Sequence, residues 1–268
     1  MKPVEKLRFA VVGDPVLHSM SPAIHNAGFA AYDVDAIFEH LPTATDEFET
    51  VVAMLRNGEL AGVSVTMPHK EHAFSAVDEM DEFARRSHAV NTIMVVEGRL
   101  VGYNTDVAGV RQACAQAGVS ETAPVLILGA GGAAAAAVIA MDGRSLFVSA
   151  RKATAAHTLA DRTAADALVV AWGDGIAGAV VINATPVGMA GEELPDNVLA
   201  VGSGLLDMAY GQGETPACAM YRDRGLPCAD GLDMLIAQAV SAFERFTGIT
   251  PDPNIFRTAI SRSTRDSD

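Results

Sequence analysis

The stretch VLILGAGGAAAAAVIA, Val125–Ala140, has the pattern of a buried strand, a glycine-rich turn and a helix. Its spacing Gly129-x-Gly131-Gly132-x-Ala134 matches a dinucleotide-binding fingerprint with alanine in the last position. The first glycine permits the tight turn, the second lets the backbone approach a pyrophosphate, and the small third residue lets helix and strand pack closely. The N–H groups of the helix N-terminus favour the phosphates. A plain turn also needs glycine, so it is the flanking strand and helix that favour dinucleotide binding.

The same region approaches the length of a membrane span, because Ala123–Met141 carries no charge. However, Pro124 and three glycines interrupt it, and its second half is mostly alanine. A strand, a turn and a short helix therefore explain it better than a transmembrane helix, and we expect no membrane association.

The strand after the glycine turn ends in Ala150-Arg151-Lys152. A site that prefers NAD usually has an acidic residue here, to bind the ribose 2′-hydroxyl. Two cations take its place, and an arginine suits a 2′-phosphate. The pattern therefore favours NADP over NAD, although Arg151 and Lys152 could also be ordinary surface charges.

The composition is that of a folded globular protein, with 268 residues, half of them hydrophobic and 19% charged. This length suits two domains. The formal net charge of -14 argues against a nucleic-acid partner. Three cysteines without a C-x-x-C spacing indicate a reducing compartment, and the N-terminus lacks a signal-peptide core. We therefore expect a cytoplasmic protein.

Apolar strand-like runs alternate with helix-like segments along the chain. Most runs are short and flanked by Gly, Pro or Asp, as buried parallel strands are. The alternation predicts an α/β fold with mostly parallel sheets. Helices are predicted at Asp46–Arg56 and Leu232–Phe246. The predicted strands are Arg8–Val12, Ala36–His40, Gly62–Val65, Val125–Leu128, Ser145–Ser149, Ala167–Val170, Val180–Asn183 and Leu205–Met208.

A β-hairpin interrupts this alternation at Asn91–Tyr103, with its tight turn at Glu97–Gly98. A helix follows directly, with Thr105 or Asp106 near its N-terminus, and we place a domain boundary there. The second boundary is predicted near Gly231, before the last long helix.

Ser19 and Ser21 lie two residues apart at the start of a predicted helix. Hydroxyls and backbone N–H groups at such a position can bind a carboxylate. Ser21 before Pro22 is equally a good N-cap that needs no ligand. This segment alone supports both interpretations.

Further polar residues follow the predicted strands: Thr66 and Lys70 after the third, Asn91 at the hairpin and Asp106 at the next helix. Ligands of open α/β sheets bind at the carboxyl ends of the strands. A lysine there can donate a proton to a forming alkoxide, and a neighbouring carboxylate can hold the ammonium in place. Either charge alone would be an ordinary solvated residue, but together with a dinucleotide turn they favour catalysis.

His69 and His72 are three residues apart and could share a helix face as metal ligands. A metal needs more ligands than these two, and proton donation by lysine needs none, so we predict no metal and treat both residues as bystanders. Surface or loop positions are predicted for the other histidines, His18, His25, His40, His88 and His157.

Eight ordered segments together resemble the shikimate dehydrogenase family: GDPVLHSMSPAIHN, GVSVTMPHKE, AVNT, NTD, GAGGAA, INATPVGM, DMAYGQGETP and ADGLDMLIAQA. The resemblance implies that Lys70 and Asp106 are catalytic. It implies substrate contacts by Ser19, Ser21, Thr66, Asn91, Tyr210 and Gln238. It implies cofactor contacts by Gly129, Ala130, Gly131, Gly132, Ala133, Arg151, Lys152, Thr185 and Gly231.

The family fold implies a catalytic α/β domain, formed by residues 1–105 and by helices that return at 232–268, with a Rossmann NADP-binding domain at 106–231. The implied reaction is the reduction of 3-dehydroshikimate to shikimate by NADPH, in the biosynthesis of chorismate and aromatic amino acids. The small-molecule substrate is the expected partner, in a monomer or a homodimer.

Two features depart from the family pattern. Ser64 stands where the family usually has asparagine, and the cofactor signature Asn-Arg-Thr-x-x-Arg is reduced here to Arg151 followed by Lys152. These departures motivate an alternative, a quinate or aminoshikimate dehydrogenase that could use NAD. A second alternative is a non-catalytic sensor of a shikimate-type ligand, which the intact Lys70 and Asp106 argue against.

Overall fold

The computed structural model of the protein describes residues 6–163, 165–210 and 213–265, with side chains up to Ser263. The strands are β1 Leu7–Gly13, β2 Ala36–Pro42, β3 Gly62–Val65, β4 Glu79–Met80, β5 Thr92–Val96, β6 Arg99–Tyr103, β7 Val125–Leu128, β8 Leu146–Ser149, β9 Ala167–Val170, β10 Val180–Asn183, β11 Gly204–Asp207 and β12 Cys228–Ala229.

The helices are α1 Ser21–Ala31, α2 Phe48–Arg56, α3 Lys70–Ala76, α4 Glu82–Ser87, α5 Asp106–Ala117, α6 Gly132–Ala140, α7 Ala153–Thr163, α8 Asp196–Val201, α9 Pro216–Asp223, α10 Gly231–Thr247 and α11 Pro253–Arg265. The predicted strands and the hairpin are all present, so the predicted α/β alternation is confirmed. Strands β4 and β12 were not predicted, because two residues are too short for a periodic pattern.

The chain divides into two compact units, and the division near the hairpin falls between Thr105 and Asp106. The other division falls after Gln238, inside the continuous helix α10, and not before Leu232 as expected. The assignment of substrate and cofactor to separate domains stays a prediction. The first unit contains the residues up to Arg85, Ala89–Thr105 and the residues from Ala239 onward; the second contains Arg86–His88 and Asp106–Gln238.

The first unit is built on a mixed six-stranded sheet in the order β2-β1-β3-β5-β6-β4. Strand β1 pairs in parallel with β2 and β3, whereas β3–β5 and the β5–β6 hairpin are antiparallel. Because β1 and β3 are parallel neighbours, their carboxyl ends lie side by side, at Gly13 and Val65.

One side of this unit is an aromatic cluster that joins β1, β2 and α1 to the C-terminal helices. The ring of Phe9 lies 4.8 Å from that of Phe246, and His25 stacks on Phe38 at 4.4 Å. Gly28 permits the close packing of α1, since a Cβ there would lie 2.5 Å from the ring of Phe243. Burial of these rings provides the apolar area that holds the last two helices on the unit.

The second unit is built on a six-stranded sheet in the order β12-β11-β10-β7-β8-β9, in which every pairing is parallel. All residues of β7, β10 and β11 are buried, as expected for strands covered on both faces. The strand order reverses between β7 and β10, which makes the carboxyl ends of these two strands a topological switch point. The predicted Rossmann-type unit is therefore confirmed.

The uncharged stretch Ala123–Met141 forms strand β7, a turn and helix α6, as predicted. Within the described ranges, no helix combines the length and the apolar composition needed to cross a bilayer.

His25 contradicts its predicted surface position, because its side chain is fully buried inside the aromatic cluster. Among the described residues, neither of its ring nitrogens has a hydrogen-bond partner. Burial lowers the pKa of His25 from 6.5 to about 3. The unfolded chain therefore takes up a proton below pH 6.5 that the folded chain takes up only near pH 3.

We expect the free energy of unfolding to fall as the pH is lowered from 6.5 toward 3, with His25 contributing about 1.4 kcal/mol per pH unit. The His25→Leu variant should lose this part of the slope, because leucine has no proton to gain. Urea unfolding at several pH values between 7.5 and 4.5 measures it. The exposed His157→Gln is the matched control and should keep the wild-type slope. Equal slopes for His25→Leu and wild type would contradict the assignment.

Candidate active site

Backbone hydrogen bonds join the segments that follow β1 and β3 at the carboxyl edge of the first sheet. Thr66 N–H donates to the carbonyl of Val12 at 2.9 Å, and Asp14 N–H donates to that of Met67 at 2.9 Å. A side chain on Gly13 would lie 2.3 Å from Thr66 Cγ2. Glycine is therefore needed for this close approach, which positions the half-buried Thr66.

Ser19 and Ser21 come together at the start of α1, with their hydroxyl oxygens 3.2 Å apart. The expectation that Ser21 caps this helix is wrong, since α1 begins at Ser21 and Met20 occupies the N-cap without a side-chain hydrogen bond. Ser19 Oγ instead accepts the Ser21 N–H at 3.3 Å, and the carbonyl of Ser19 contacts His40 Nε2 at 2.9 Å. Two hydroxyls are thus presented at a helix N-terminus.

Lys70 is the first residue of α3, and it follows a buried histidine. His69 is fully buried, stacks on Phe48 with ring centres 5.0 Å apart, and hydrogen-bonds through Nε2 to the carbonyl of Thr43 at 2.8 Å. A carbonyl only accepts, so Nε2 carries the proton. His69 thus anchors the loop that precedes Lys70, a supporting contact that the sequence did not indicate, and its absence from the chemistry stays a prediction. His72 is exposed.

Asn91 lies in a buried polar network at the start of the hairpin. Its Oδ1 accepts the Thr105 N–H at 2.8 Å and the Thr92 hydroxyl at 3.0 Å, while its Nδ2 donates to Thr105 Oγ1 at 2.9 Å. These bonds fix which way the amide points. They also hold the backbone immediately before Asp106.

Asp106 is the first residue of α5 and is buried. One turn later, a side chain on Gly109 would lie 2.9 Å from Gln238 Cβ, so the second unit brings the start of α5 close to Gln238 on α10. Lys70 belongs to the first unit and Asp106 to the second, and their cooperation stays a prediction.

The glycine turn lies at the switch point of the second sheet. Gly129 follows β7 with φ +119°, a conformation that favours glycine, and a Cβ there would lie 2.9 Å from the carbonyl oxygen of Ala184. Gly131 is the N-cap of α6, and a Cβ there would meet no described atom within 4 Å. This open backbone at a helix N-terminus fits a pyrophosphate. Ala130, Gly132 and Ala133 complete the turn and the first residues of α6.

Arg151 and Lys152 lie in the loop between β8 and α7, and both side chains are exposed. The carbonyl of Lys152 accepts the N–H of Ala155 at 3.0 Å, so its backbone caps α7 while its ammonium is available to solvent. Both cations therefore lie at the carboxyl end of β8, next to the glycine turn after β7.

A polar network around Asp207 was missed by the sequence reasoning. Asp207 ends β11 and is fully buried; its carboxylate accepts from Asn183 Nδ2 at 2.8 Å and from the Thr215 hydroxyl at 2.6 Å. Asn183 Oδ1 in turn accepts the Thr185 hydroxyl at 2.6 Å. Burial raises the pKa of Asp207, and these two hydrogen bonds oppose the rise. The available signal was a polar residue at the end of each buried strand, in VVIN and GLLD.

This network holds the loop that contains Thr185. Asn183 Nδ2 also donates to the carbonyl of Val187 at 2.9 Å, and Glu192 accepts the N–H groups of Gly188 and Ala190 at 3.1 Å each. Backbone hydrogen bonds lower the pKa of Glu192. The loop after β10 is thus closed at both ends by side chains.

Gly231 begins α10 against the end of β11, since a Cβ there would lie 2.7 Å from the carbonyl oxygen of Ala209. The half-buried Tyr210 follows Ala209 directly in the chain. Gly211 and Gln212 of the DMAYGQGETP segment lie outside the described residues. Among the described residues, no three His, Cys, Asp or Glu side chains form a group that could hold a metal ion.

Comparisons with known proteins identify relatives of the whole chain. Residues 11–93 match the shikimate dehydrogenase substrate binding domain, and residues 231–260 match the shikimate 5′-dehydrogenase C-terminal domain. A shikimate dehydrogenase (NADP(+)) of Rubrobacter xylanophilus is 38% identical, with 94% of each chain covered.

Solved structures show the same fold. The shikimate 5-dehydrogenase of Thermus thermophilus, in complex with NADP(H) and shikimate, has a TM-score of 0.87 and 33% identity, covering 96% of this chain and 99% of that one. A shikimate dehydrogenase in complex with NADP+ has a TM-score of 0.90 and 28% identity, covering 98% and 97%. The protein therefore belongs to the shikimate dehydrogenase family.

Proposed function

We propose that the protein catalyses the reversible, NADPH-dependent reduction of 3-dehydroshikimate to shikimate. The observation that carries the proposal is the open glycine turn at the switch point of a doubly wound sheet, in a chain that matches an NADP-dependent relative over 94% of its length. Family membership supports the substrate, and the turn supports the dinucleotide.

The cofactor site in this proposal comprises Gly129–Ala133, Arg151, Lys152, Thr185 and Gly231. The free space at Gly131 and the N–H groups that begin α6 suit the pyrophosphate, since a glycine there lets the phosphates approach the backbone. Support for Thr185 comes from its hydroxyl, which is held 2.6 Å from Asn183 Oδ1 at the same edge of the sheet. Arg151 and Lys152 would bind the 2′-phosphate.

The substrate contacts in this proposal are Ser19, Ser21, Thr66, Asn91, Tyr210 and Gln238. The paired hydroxyls of Ser19 and Ser21 at a helix N-terminus suit the substrate carboxylate, because they add two donors to the helix dipole. Asn91, whose amide orientation is fixed by Thr105, suits a ring hydroxyl.

The catalytic groups we propose are Lys70 and Asp106. When bound, NADPH supplies a hydride to the carbonyl carbon of the substrate. The Lys70 ammonium donates a proton to the carbonyl oxygen, which becomes the new hydroxyl, with Asp106 as the second catalytic group. In the reverse direction, neutral Lys70 takes this proton back. The buried anchor at His69 supports a fixed start for α3, and therefore a fixed position for Lys70.

The alternative reaction within the same family is the oxidation of quinate or aminoshikimate with NAD. Two features favour it. One is the half-buried Ser64, in register with Thr92 on β5, and the other is the exposed loop after β8, whose one arginine is Arg151. We further propose a cytoplasmic location and a monomer or homodimer. The three cysteines, all present as free thiols, support a reducing compartment.

We expect kcat/KM to be highest for shikimate with NADP, in a set of assays that pairs NADP or NAD with shikimate or quinate. A charge-assisted hydrogen bond to the 2′-phosphate should favour NADP over NAD by about tenfold or more. Arg151→Ala should raise the KM for NADP and leave the reaction with NAD unchanged. The NAD reaction of this variant is therefore the control for its NADP reaction. A preference for quinate with NAD would support the alternative, and shikimate binding without turnover would support a sensor.

Lys70→Ala should lower kcat by about 10²–10⁴-fold with a small change in the KM for shikimate, because the lost group acts in the transition state. Steady-state kinetics with NADP measure both constants. Lys6→Ala is the matched control, since Lys6 is an exposed lysine of the same unit, and its kcat should equal that of wild type. A normal kcat with a raised KM would contradict a catalytic role for Lys70.

Gly131→Ala should weaken NADPH binding by at least about tenfold without lowering the melting temperature, because the new methyl group enters open space that the pyrophosphate would use. Fluorescence titration and thermal melting measure the two effects. Gly129→Ala is the comparison: with φ +119° and Ala184 O nearby, it should destabilise the fold by about 1–3 kcal/mol. Wild-type NADPH affinity in Gly131→Ala would contradict the cofactor site.

A further inference from the structure

An exposed carboxylate folds back onto the loop that follows β10. Glu192 Oε2 accepts the N–H groups of Gly188 and Ala190, each at 3.1 Å, so that one oxygen atom binds both donors. The side chain of Glu192 is exposed and adds nothing to the apolar core. A side chain in this position can fix the shape of its own loop while the core of the unit forms without it.

The loop needs such support because its backbone is unusually free. Gly188 and Gly191 adopt φ values of +106° and +84°, in the region that favours glycine, and glycine loses more conformational freedom on ordering than other residues. Met189 N–H donates to the carbonyl of Pro186 at 3.2 Å, and Gly191 N–H donates to that of Gly188 at 3.1 Å. Four successive N–H groups, from Gly188 to Gly191, are therefore bonded, and Glu192 is the acceptor for two of them.

The part of the loop that Glu192 holds packs beside residues of the proposed cofactor site. Gly188 is buried, and a Cβ there would lie 3.4 Å from Thr215 Cγ2 and 3.8 Å from Ala209 Cβ. The carbonyl oxygen of Ala209 would in turn lie 2.7 Å from a Cβ on Gly231. Thr185 comes three residues before Gly188 in the same loop. Gly188 thus connects the segment of Thr185 with the segment that contacts Gly231.

We propose that Glu192 is a positioning residue of the cofactor site, whose carboxylate holds the loop after β10 in the conformation that binds the dinucleotide. The inference rests on the proposed function, because it takes the loop of Thr185 as part of the NADPH site. A loop that is ordered before the ligand arrives loses less conformational entropy on binding, and the affinity is correspondingly higher.

The charge of Glu192 separates this role from a direct contact with the cofactor. NADPH is an anion, so a nearby carboxylate repels it, and removal of the charge alone would strengthen binding. The backbone N–H groups of Glu192 itself, Ala190 and Gly188 lower the pKa of this carboxyl group, which therefore stays ionised at neutral pH. Weaker NADPH binding after loss of the carboxylate would consequently report a change in the loop and not the change in charge.

The test compares three variants of the full-length protein. Glu192→Ala removes both hydrogen bonds. Glu192→Gln removes the charge but keeps an oxygen that can accept from both N–H groups. Glu193→Ala removes a charge from the adjacent exposed residue and is the matched control. Fluorescence titration measures the Kd for NADPH, thermal melting measures stability, and hydrogen–deuterium exchange without cofactor measures the protection of the amides from Gly188 to Gly191.

We expect Glu192→Ala to raise the Kd for NADPH about three- to tenfold, because the loop must then be ordered when the cofactor binds. Its melting temperature should equal that of wild type, since the exposed side chain supports no core contact. In the absence of cofactor, its loop amides should exchange faster than those of wild type. Glu192→Gln should recover most of the affinity and of the amide protection, and Glu193→Ala should retain both.

The possible failures of the two proposals are distinguishable. Wild-type NADPH affinity and amide protection in Glu192→Ala would overturn this inference and leave the proposed function in place. Equal weakening of NADPH binding by Glu193→Ala would also overturn it, because the effect would then not depend on the hydrogen bonds of Glu192. A wild-type protein that binds no NADPH would overturn the proposed function together with this inference.

Discussion

The second unit depends on one buried carboxylate, that of Asp207. It accepts from Asn183 and Thr215, and Asn183 in turn holds both Thr185 and Val187. A carboxylate with no exposed surface destabilises the fold unless its oxygens accept hydrogen bonds. Breaking one of these bonds would leave a buried oxygen without a partner, and this free-energy cost keeps the network intact. Through it the end of β11 fixes the loop after β10, opposite the glycine turn. The loop that contains Thr185 is thus held in place by the hydrogen bonds that satisfy a buried carboxylate.

In the first unit, neutral buried side chains hold the segments that precede the proposed catalytic residues. His69 donates to the carbonyl of Thr43, and Asn91 binds both the backbone and the hydroxyl of Thr105. Both residues are buried, and each fixes the chain immediately before a proposed catalytic residue, Lys70 or Asp106. Buried side chains that hydrogen-bond backbone groups are less mobile than exposed ones, so the residue that follows begins its helix from a fixed point. His69 and Asn91 therefore fix the points from which the two proposed catalytic residues begin their helices.

The sequence predicted well where a pattern is local. The strand, turn and helix around Gly129, the hairpin before Tyr103 and the start of α5 at Asp106 all follow from short-range periodicity and turn chemistry. It failed where the outcome depends on residues distant in the chain. His25 was expected on the surface because its ring is polar, yet five phenylalanines from β2 and three helices surround it. The N-cap expected of Ser21 was wrong by one residue, the usual uncertainty of helix ends.

By itself the sequence determined the fold class, the dinucleotide turn and the candidates for chemistry, because glycine spacing, apolar runs and polar residues at strand ends are properties of neighbours in the chain. Only the tertiary structure decided which buried groups support the site: Asp207, Asn183, His69 and Thr105. The physical reason is that hydrogen bonding and burial depend on what the fold brings within a few ångströms, and no local pattern encodes that distance.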